Sequence, residues 1–188
     1  MQLLIDELTS GDDARAEHAS RRLAELDNSV LSLLSQLLIL GEVDQRWWAV
    51  RTLSRLASPE ATERLTVALA DEAAEVRQAA ALGLRGTTEA HALAALAAAL
   101  GDSDSLVARL AGDALAEAGG PAVPDLASAV KDPRPRHRIE AARALAHNTD
   151  PAVIPVLYSL LDDDSSLVLH WAEQGMEAHG QGMVFFRP

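Results

Sequence analysis

An alanine followed four residues later by a large apolar residue recurs six times along the chain, as Ala19/Leu23, Ala49/Leu53, Ala80/Leu84, Ala111/Leu115, Ala141/Leu145 and Ala172/Met176. Successive alanines lie 30, 31, 31, 30 and 31 residues apart. A period of that length, kept from one end to the other, is the mark of a repeat architecture in which each unit is one supersecondary element. Fifteen and eleven positions before each alanine stand Leu4/Leu8, Leu34/Leu38, Leu65/Leu69, Leu96/Leu100, Leu126/Val130 and Leu157/Leu161, all aliphatic. Eighteen positions before it stand Met1, Leu31, Thr62, Leu93, Val123 and Ile154, with Thr62 the exception. Every repeat therefore carries two apolar stripes at helical spacing.

Punctuation separates the stripes. Pro59, Pro121 and Pro151 stand near the start of the first helix of a repeat, where a missing N–H costs little. Ser58 and Asp150 precede two of them in cap-like positions. Asp71, Asp102, Asp132 and Asp163 each lie nine residues before an anchor alanine, between the two helices. The spacing predicts helix pairs at about 2–9 and 13–26, 29–40 and 44–57, 60–70 and 73–85, 89–100 and 104–118, 121–130 and 135–147, and 152–161 and 165–178.

The expected fold is an all-α superhelix, or solenoid, of six helix hairpins. It forms one domain over residues 1–188, with repeats at about 1–27, 28–58, 59–87, 88–119, 120–149 and 150–179 and a tail at 180–188. A single hairpin cannot bury both of its stripes, whereas stacked hairpins share one continuous core. Small residues near the anchors (Ala79, Gly83, Gly112, Ala114, Ala142, Ala144) allow close helix approach. A large residue at Ala80 or Ala111 should overpack that seam by roughly 1–3 kcal/mol.

The segment Asp71 to Gly86, DEAAEVRQAAALGLRG, resembles the second helix of a HEAT repeat, and more narrowly the short bacterial form called the phycobilisome-lyase HEAT-like repeat. The resemblance extends over nearly the whole chain and implies a ladder in which a turn aspartate and an arginine six residues later link neighbouring repeats. Asp71/Arg77 and Asp132/Arg138 keep both partners. Asp102 is followed by Ala108, Asp163 by Leu169, and Arg46 has Leu40 where the aspartate would stand, so the ladder is expected to be broken in four repeats of six.

Little in the chain points to chemistry. The histidines (His18, His91, His137, His147, His170, His179) form no close metal-ligand pair, and no metal or cofactor is expected. His137 falls four residues before an anchor, where sister repeats have Val76, Val107 and Val168, so a structural role in the core is expected. Asp12–Asp13 and Asp162–Asp164 fall in turns, where Asp caps helices, and they lack the alternation and glycine of a calcium loop. Gly119–Gly120 and the glycines from Gly175 to Gly182 match neither a P-loop nor a dinucleotide fingerprint. With no cysteine, thiolate chemistry and disulfides are excluded. No catalytic residue is assigned, and the chain is expected not to be an enzyme.

Charge narrows the partner. Twenty-eight acidic residues against 16 basic ones give a net charge of -12, which disfavours nucleic acid held through counterion release. The longest apolar stretch, Val30 to Leu40, is interrupted by Ser32, Ser35 and Gln36 and is too short to cross a bilayer, so no membrane partner is expected. No basic-then-apolar leader opens the sequence, and a cytoplasmic location is the expectation.

Solenoids of this kind present their second helices along a concave face. At about 100° per residue, positions two before and two after the anchor point away from the buried side. The first set is Glu17, Trp47, Gln78, Arg109, Ile139 and His170; the second is Arg21, Arg51, Leu82, Asp113, Arg143 and Gln174. Trp47, Arg51, Leu82, Arg109, Ile139, Arg143 and His170 are the candidate partner-binding residues, since exposed Trp and Arg are characteristic of binding hot spots. A solvated face with offsetting acidic residues is the competing explanation. Trp48 and Trp171, one residue before their anchors, are expected to pack instead. The tail GQGMVFFRP is read as a cap over the last groove or as a docking peptide.

The leading expectation is a non-catalytic scaffold or adaptor holding a protein or peptide in the concave groove. The resemblance also implies a bilin-lyase-like alternative, in which inner-stripe arginines pair with tetrapyrrole propionates while Trp47 packs on the macrocycle. A further alternative is nucleic-acid binding through Trp47, Asp113 and Arg109, as in HEAT-like DNA-repair glycosylases. Oligomeric state is left open.

Overall fold

The computed structural model describes residues 1–26 and 28–181. Among these there are twelve α-helices and no strand. They pair as six hairpins: α1 (Gln2–Leu8) with α2 (Asp13–Ala24), α3 (Leu31–Leu40) with α4 (Val43–Leu53), α5 (Pro59–Ala68) with α6 (Ala74–Gly83), α7 (Ala90–Ala99) with α8 (Ser105–Ala118), α9 (Val123–Ala129) with α10 (Pro135–His147), and α11 (Ile154–Ser159) with α12 (Ser166–Ala178). The all-α fold of six hairpins is the one the periodicity predicts. The contacts group the helices into two compact units, one of α1 to α6 ending at Leu84 and one of α7 to α12 beginning at Arg85. The apolar run Met183–Phe186 of the tail lies outside the described residues.

Helix boundaries follow local chemistry. Ser58 caps α5 by accepting from the Ala61 N–H at 3.2 Å, Asp12 caps α2 by accepting from the Arg15 N–H, and Asp104 caps α8 by accepting from the N–H groups of Leu106 and Val107. Each such cap contributes about 1 kcal/mol. The helices α9 and α11 start later than the pattern suggests. Each is preceded by a short 3-10 turn (Gly120–Ala122, Pro151–Val153), and each has a second proline in its first turn, Pro124 or Pro155. A proline there supplies no N–H for an α-type bond to the preceding turn, and the tighter bonding takes over. The helices α4 and α6 end four and two residues before the predicted limits, α4 running into Ser54, whose hydroxyl donates to the Arg51 carbonyl. The end of α6 lies close against this point: a Cβ on Gly83 would come within 2.8 Å of the Ser54 Cβ.

All six anchor alanines are fully buried, as are Leu23, Leu53, Leu115 and Leu145 four residues on. Second helices pack in succession within each unit, α2 on α4 on α6, and α8 on α10 on α12. The first-helix leucines line the same cores, although Leu4, Leu38 and Leu161 are only partly covered. Among the described residues no helix is long and apolar enough to cross a membrane.

The four turn aspartates share one local structure. Asp71 accepts from the Ala73 N–H, Asp102 from Asp104, Asp132 from Arg134 and Asp163 from Ser165, each two residues on, at 2.7–2.9 Å. This side-chain turn bends the chain from first helix to second, which explains the recurrence of Asp at that position.

The arginine ladder differs from its expected form. Arg77 donates to the backbone carbonyls of Asp71 and Glu72, and Arg138 to those of Asp132 and Pro133. The Asp71 carboxylate instead takes a two-pronged pair of 2.8 Å bonds from Arg46 of the preceding repeat, and the Asp163 carboxylate lies 3.4 Å from Arg138. An aspartate six residues before the arginine is therefore dispensable: Arg46, with Leu40 there, holds the Gly41 carbonyl and still forms its rung to Asp71. Burial alone would raise the Asp71 carboxyl, but the bonds from Arg46 and the Ala73 N–H outweigh it and hold the group below the ordinary carboxylate range.

Candidate partner-binding site

In the first unit, α2, α4 and α6 carry Trp47, Arg51 and Leu82. Trp47 and Arg51 are half-buried and Leu82 is exposed. Trp47 and Trp48 are consecutive on α4 and so diverge. Trp48 turns into the core, and its ring meets the Trp47 ring edge-on at 4.9 Å, fixing the orientation of the outer indole. The Arg51 guanidinium lies over the Trp47 ring, 5.5 Å from its centroid. Asp13, Glu17, Asp44, Trp47, Trp48 and Arg51 together line an open depression of about 560 Å³.

Glu17 is the hub that the sequence stripe does not announce. Its carboxylate accepts from Arg21 at 3.0 Å, Arg51 at 3.2 Å and Arg55 at 2.7 Å. Partial burial would raise this carboxyl, yet the bonds from Arg21 and Arg51 and the charge of Arg55 bring it below its ordinary value. Beneath it, Thr52 donates to the buried Ser20 hydroxyl at 3.0 Å, and Arg55 donates to the same oxygen at 3.3 Å. The pairing of α2 with α4 is thus polar at its outer edge and apolar beneath. The i,i+4 spacing of Glu17 and Arg21 was a usable signal; the reach from Glu17 to Arg51 and Arg55 emerges only when the repeats pack.

In the second unit, α8, α10 and α12 carry Arg109, Ile139, Arg143 and His170. Arg109 and His170 are exposed and Ile139 is half-buried. Arg143, assigned to the open stripe, is instead enclosed. Its guanidinium donates to Asp113 at 2.7 Å, to Glu140 at 2.9 Å and to the Arg109 carbonyl at 2.9 Å. A Cβ on Gly112 would lie 2.7 Å from Arg143 Nη2, so the absence of a side chain there lets the guanidinium lie across α8. Trp171 is half-buried, with the His147 and His170 rings at 5.5 and 5.2 Å. His137 is buried, and Arg134 lies 2.9 Å from its Nδ1, which fits a neutral ring accepting a hydrogen bond. Among the described residues no three His, Asp or Glu side chains converge as a metal site.

Family comparison agrees with the geometry. A model described as HEAT repeats matches residues 93–177, and one described as PBS lyase HEAT-like repeat matches residues 45–71. No curated protein matches in a sequence search. Among solved structures, human deoxyhypusine hydroxylase is 25% identical with a TM-score of 0.53, over 95% of this chain and 73% of that one. The complex of CpcE and CpcF of phycocyanin lyase from a Nostoc species is 24% identical with a TM-score of 0.53, over 95% and 76%. A designed armadillo repeat protein in complex with the peptide (KR)4 is 18% identical with a TM-score of 0.50, over 94% and 98%.

Proposed function

The chain is a HEAT-repeat protein, and we propose that it serves as a non-catalytic scaffold or adaptor that holds a protein or peptide against the open face of its second helices. The observation that carries this reading is Trp47, an indole held half-exposed in a depression by its edge contact with buried Trp48. A large aromatic surface fixed in advance loses little conformational freedom on binding, which is the property of a hot-spot residue. Trp47, Arg51 and Leu82 of the first unit form the proposed contact set. Similar folds with partners fit this reading, the CpcE–CpcF complex and the peptide-bound designed armadillo protein among them. The test is a pull-down from native lysate with wild type and a Trp47→Ala/Arg51→Ala variant. A protein captured by wild type and lost from the variant is expected; equal capture would move binding to another surface.

A second reading is favoured by one observation. The match to the PBS lyase HEAT-like repeat covers residues 45–71, which include both Trp47 and Arg51. A tetrapyrrole stacked on Trp47 would need free guanidinium groups for its propionates. Arg51 is bound to Glu17, so this role requires that pair to open. A shift of visible absorbance on mixing with a bilin would favour it, and an unchanged spectrum would remove it.

A further inference from the structure

The charge around Trp47 defines what can sit on it. Arg21, Arg51 and Arg55 are all engaged by Glu17. The carboxylates at the edge of the depression are not engaged: Asp13 and Asp44 are exposed and have no ion-pair partner among the described residues. Asp13, Asp44 and Glu75 stand in the first turns of α2, α4 and α6. Asp44 and Glu75 stand five residues before their anchor alanines and so occupy matching places on α4 and α6, while Asp13 stands six before Ala19, one place earlier on α2. A helix dipole favours an acidic residue in any first turn. It acts equally on α8, α10 and α12, yet none of these has one, and Leu106, Arg136 and Leu167 stand five residues before the anchors there. Acidic first turns are thus a property of one unit rather than of second helices in general.

Resting on the scaffold reading above, we infer that the first unit's face takes a cationic peptide segment, with an arginine or lysine side chain stacked on Trp47 and flanked by Asp13 and Asp44. Arg51 over the same ring demonstrates that this indole accommodates a guanidinium. Net charge of -12 steers such a segment toward the protein. Packed helices lie about 8–10 Å apart, and an extended peptide advances about 3.3 Å per residue. Cations at every third residue would therefore meet carboxylates on neighbouring second helices.

The experiment is calorimetric titration, at about 0.1 M salt, with a short peptide carrying arginine at every third position between serine and glycine. The same peptide with glutamate in place of arginine is the control. Asp13→Asn/Asp44→Asn is compared with Asp162→Asn/Asp164→Asn, which removes as much charge from an exposed turn elsewhere, and circular dichroism melts confirm that both fold. The expected result is binding of the arginine peptide, weakened about tenfold by the first variant and hardly changed by the second. Equal weakening by both would reduce the effect to general attraction and overturn the inference. No binding of the arginine peptide would also overturn it. Binding of the glutamate peptide in its place would overturn the charge assignment while leaving the scaffold reading intact.

Discussion

Two residues after the anchor alanine, α4 carries Arg51 and α10 carries Arg143, and the two guanidinium groups have opposite fates. The Arg51 side chain keeps 39% of its exposure, lying over Trp47 and touching Glu17, whereas Arg143 keeps 7% and is locked to Asp113 and Glu140. One helix back, the residue after the anchor is Ser20 in the first case and Gly112 in the second. The Ser20 hydroxyl is bound to Thr52 and Arg55, while Gly112 leaves room for Arg143. A single side chain thus separates an arginine that stays on the face, paired with Glu17 of α2, from one enclosed against the neighbouring helix. The first unit presents an indole flanked by exposed carboxylates; the second encloses its equivalent guanidinium between Asp113 and Glu140.

The largest expected effect follows from that contrast. Arg143→Met should lower unfolding free energy by about 2–3 kcal/mol, the low end for breaking a buried pair, because Asp113 and Glu140 retain access to water. Arg51→Met should cost under about 1 kcal/mol, as for a partly exposed pair. Urea unfolding of both variants measures the difference, and equal costs would dissolve the distinction between the units.

Exchanging the gatekeeping residue is the next test. Gly112→Ser should displace Arg143 from its place across α8 and cost about 1–2 kcal/mol. Increased reactivity of Arg143 toward a guanidine-modifying reagent, read by mass spectrometry, would show the displacement directly.

A smaller effect depends on pH. Burial pushes the His137 pKa below its ordinary value, with Asp132 opposing and Arg134 reinforcing the shift. The unfolded chain then binds the proton at higher pH than the folded one, so stability contributed by the neutral ring is present above about pH 6.5 and declines as pH falls below it. His137→Val, which installs the residue of the sister repeats, should flatten the melting temperature between about pH 7 and pH 6. A slope unchanged by the substitution would assign the effect elsewhere.

The smallest stability change is expected at the proposed site. Trp47→Ala should cost about 1 kcal/mol, chiefly the edge contact with Trp48, and leave cooperative unfolding intact. A much larger loss would make Trp47 a core residue rather than a contact residue.

The architecture was legible in the sequence because burial imposes a period. The anchor alanines and the leucines four residues after them have to meet the next hairpin, and their spacing records it. The turn aspartates were legible for a similar reason, since each makes the same local bond. The rung from Arg46 was missed because its presence was judged from an aspartate within the same repeat. Arg46 meets an aspartate 25 residues ahead, and no in-repeat spacing exposes that. Arg143 was assigned to the open face from its helical angle, and the angle is right for the Cα. A long flexible side chain can fold back across a neighbouring glycine, which angular reasoning does not represent. Glu17 was passed over as an offsetting charge, because its three arginines gather only after α2 and α4 pack.

The central claim, that the first unit's second-helix face is the one that binds, is tested most directly by site-specific photocrosslinking. Leu82 on α6 and Leu106 on α8 are matched in exposure at 47% and 46%, and each can be replaced by a benzophenone-bearing residue. Irradiation in native lysate followed by mass spectrometry should yield a discrete protein adduct at position 82 and none at position 106. Adducts at position 106 alone, or equally at both, would contradict the account.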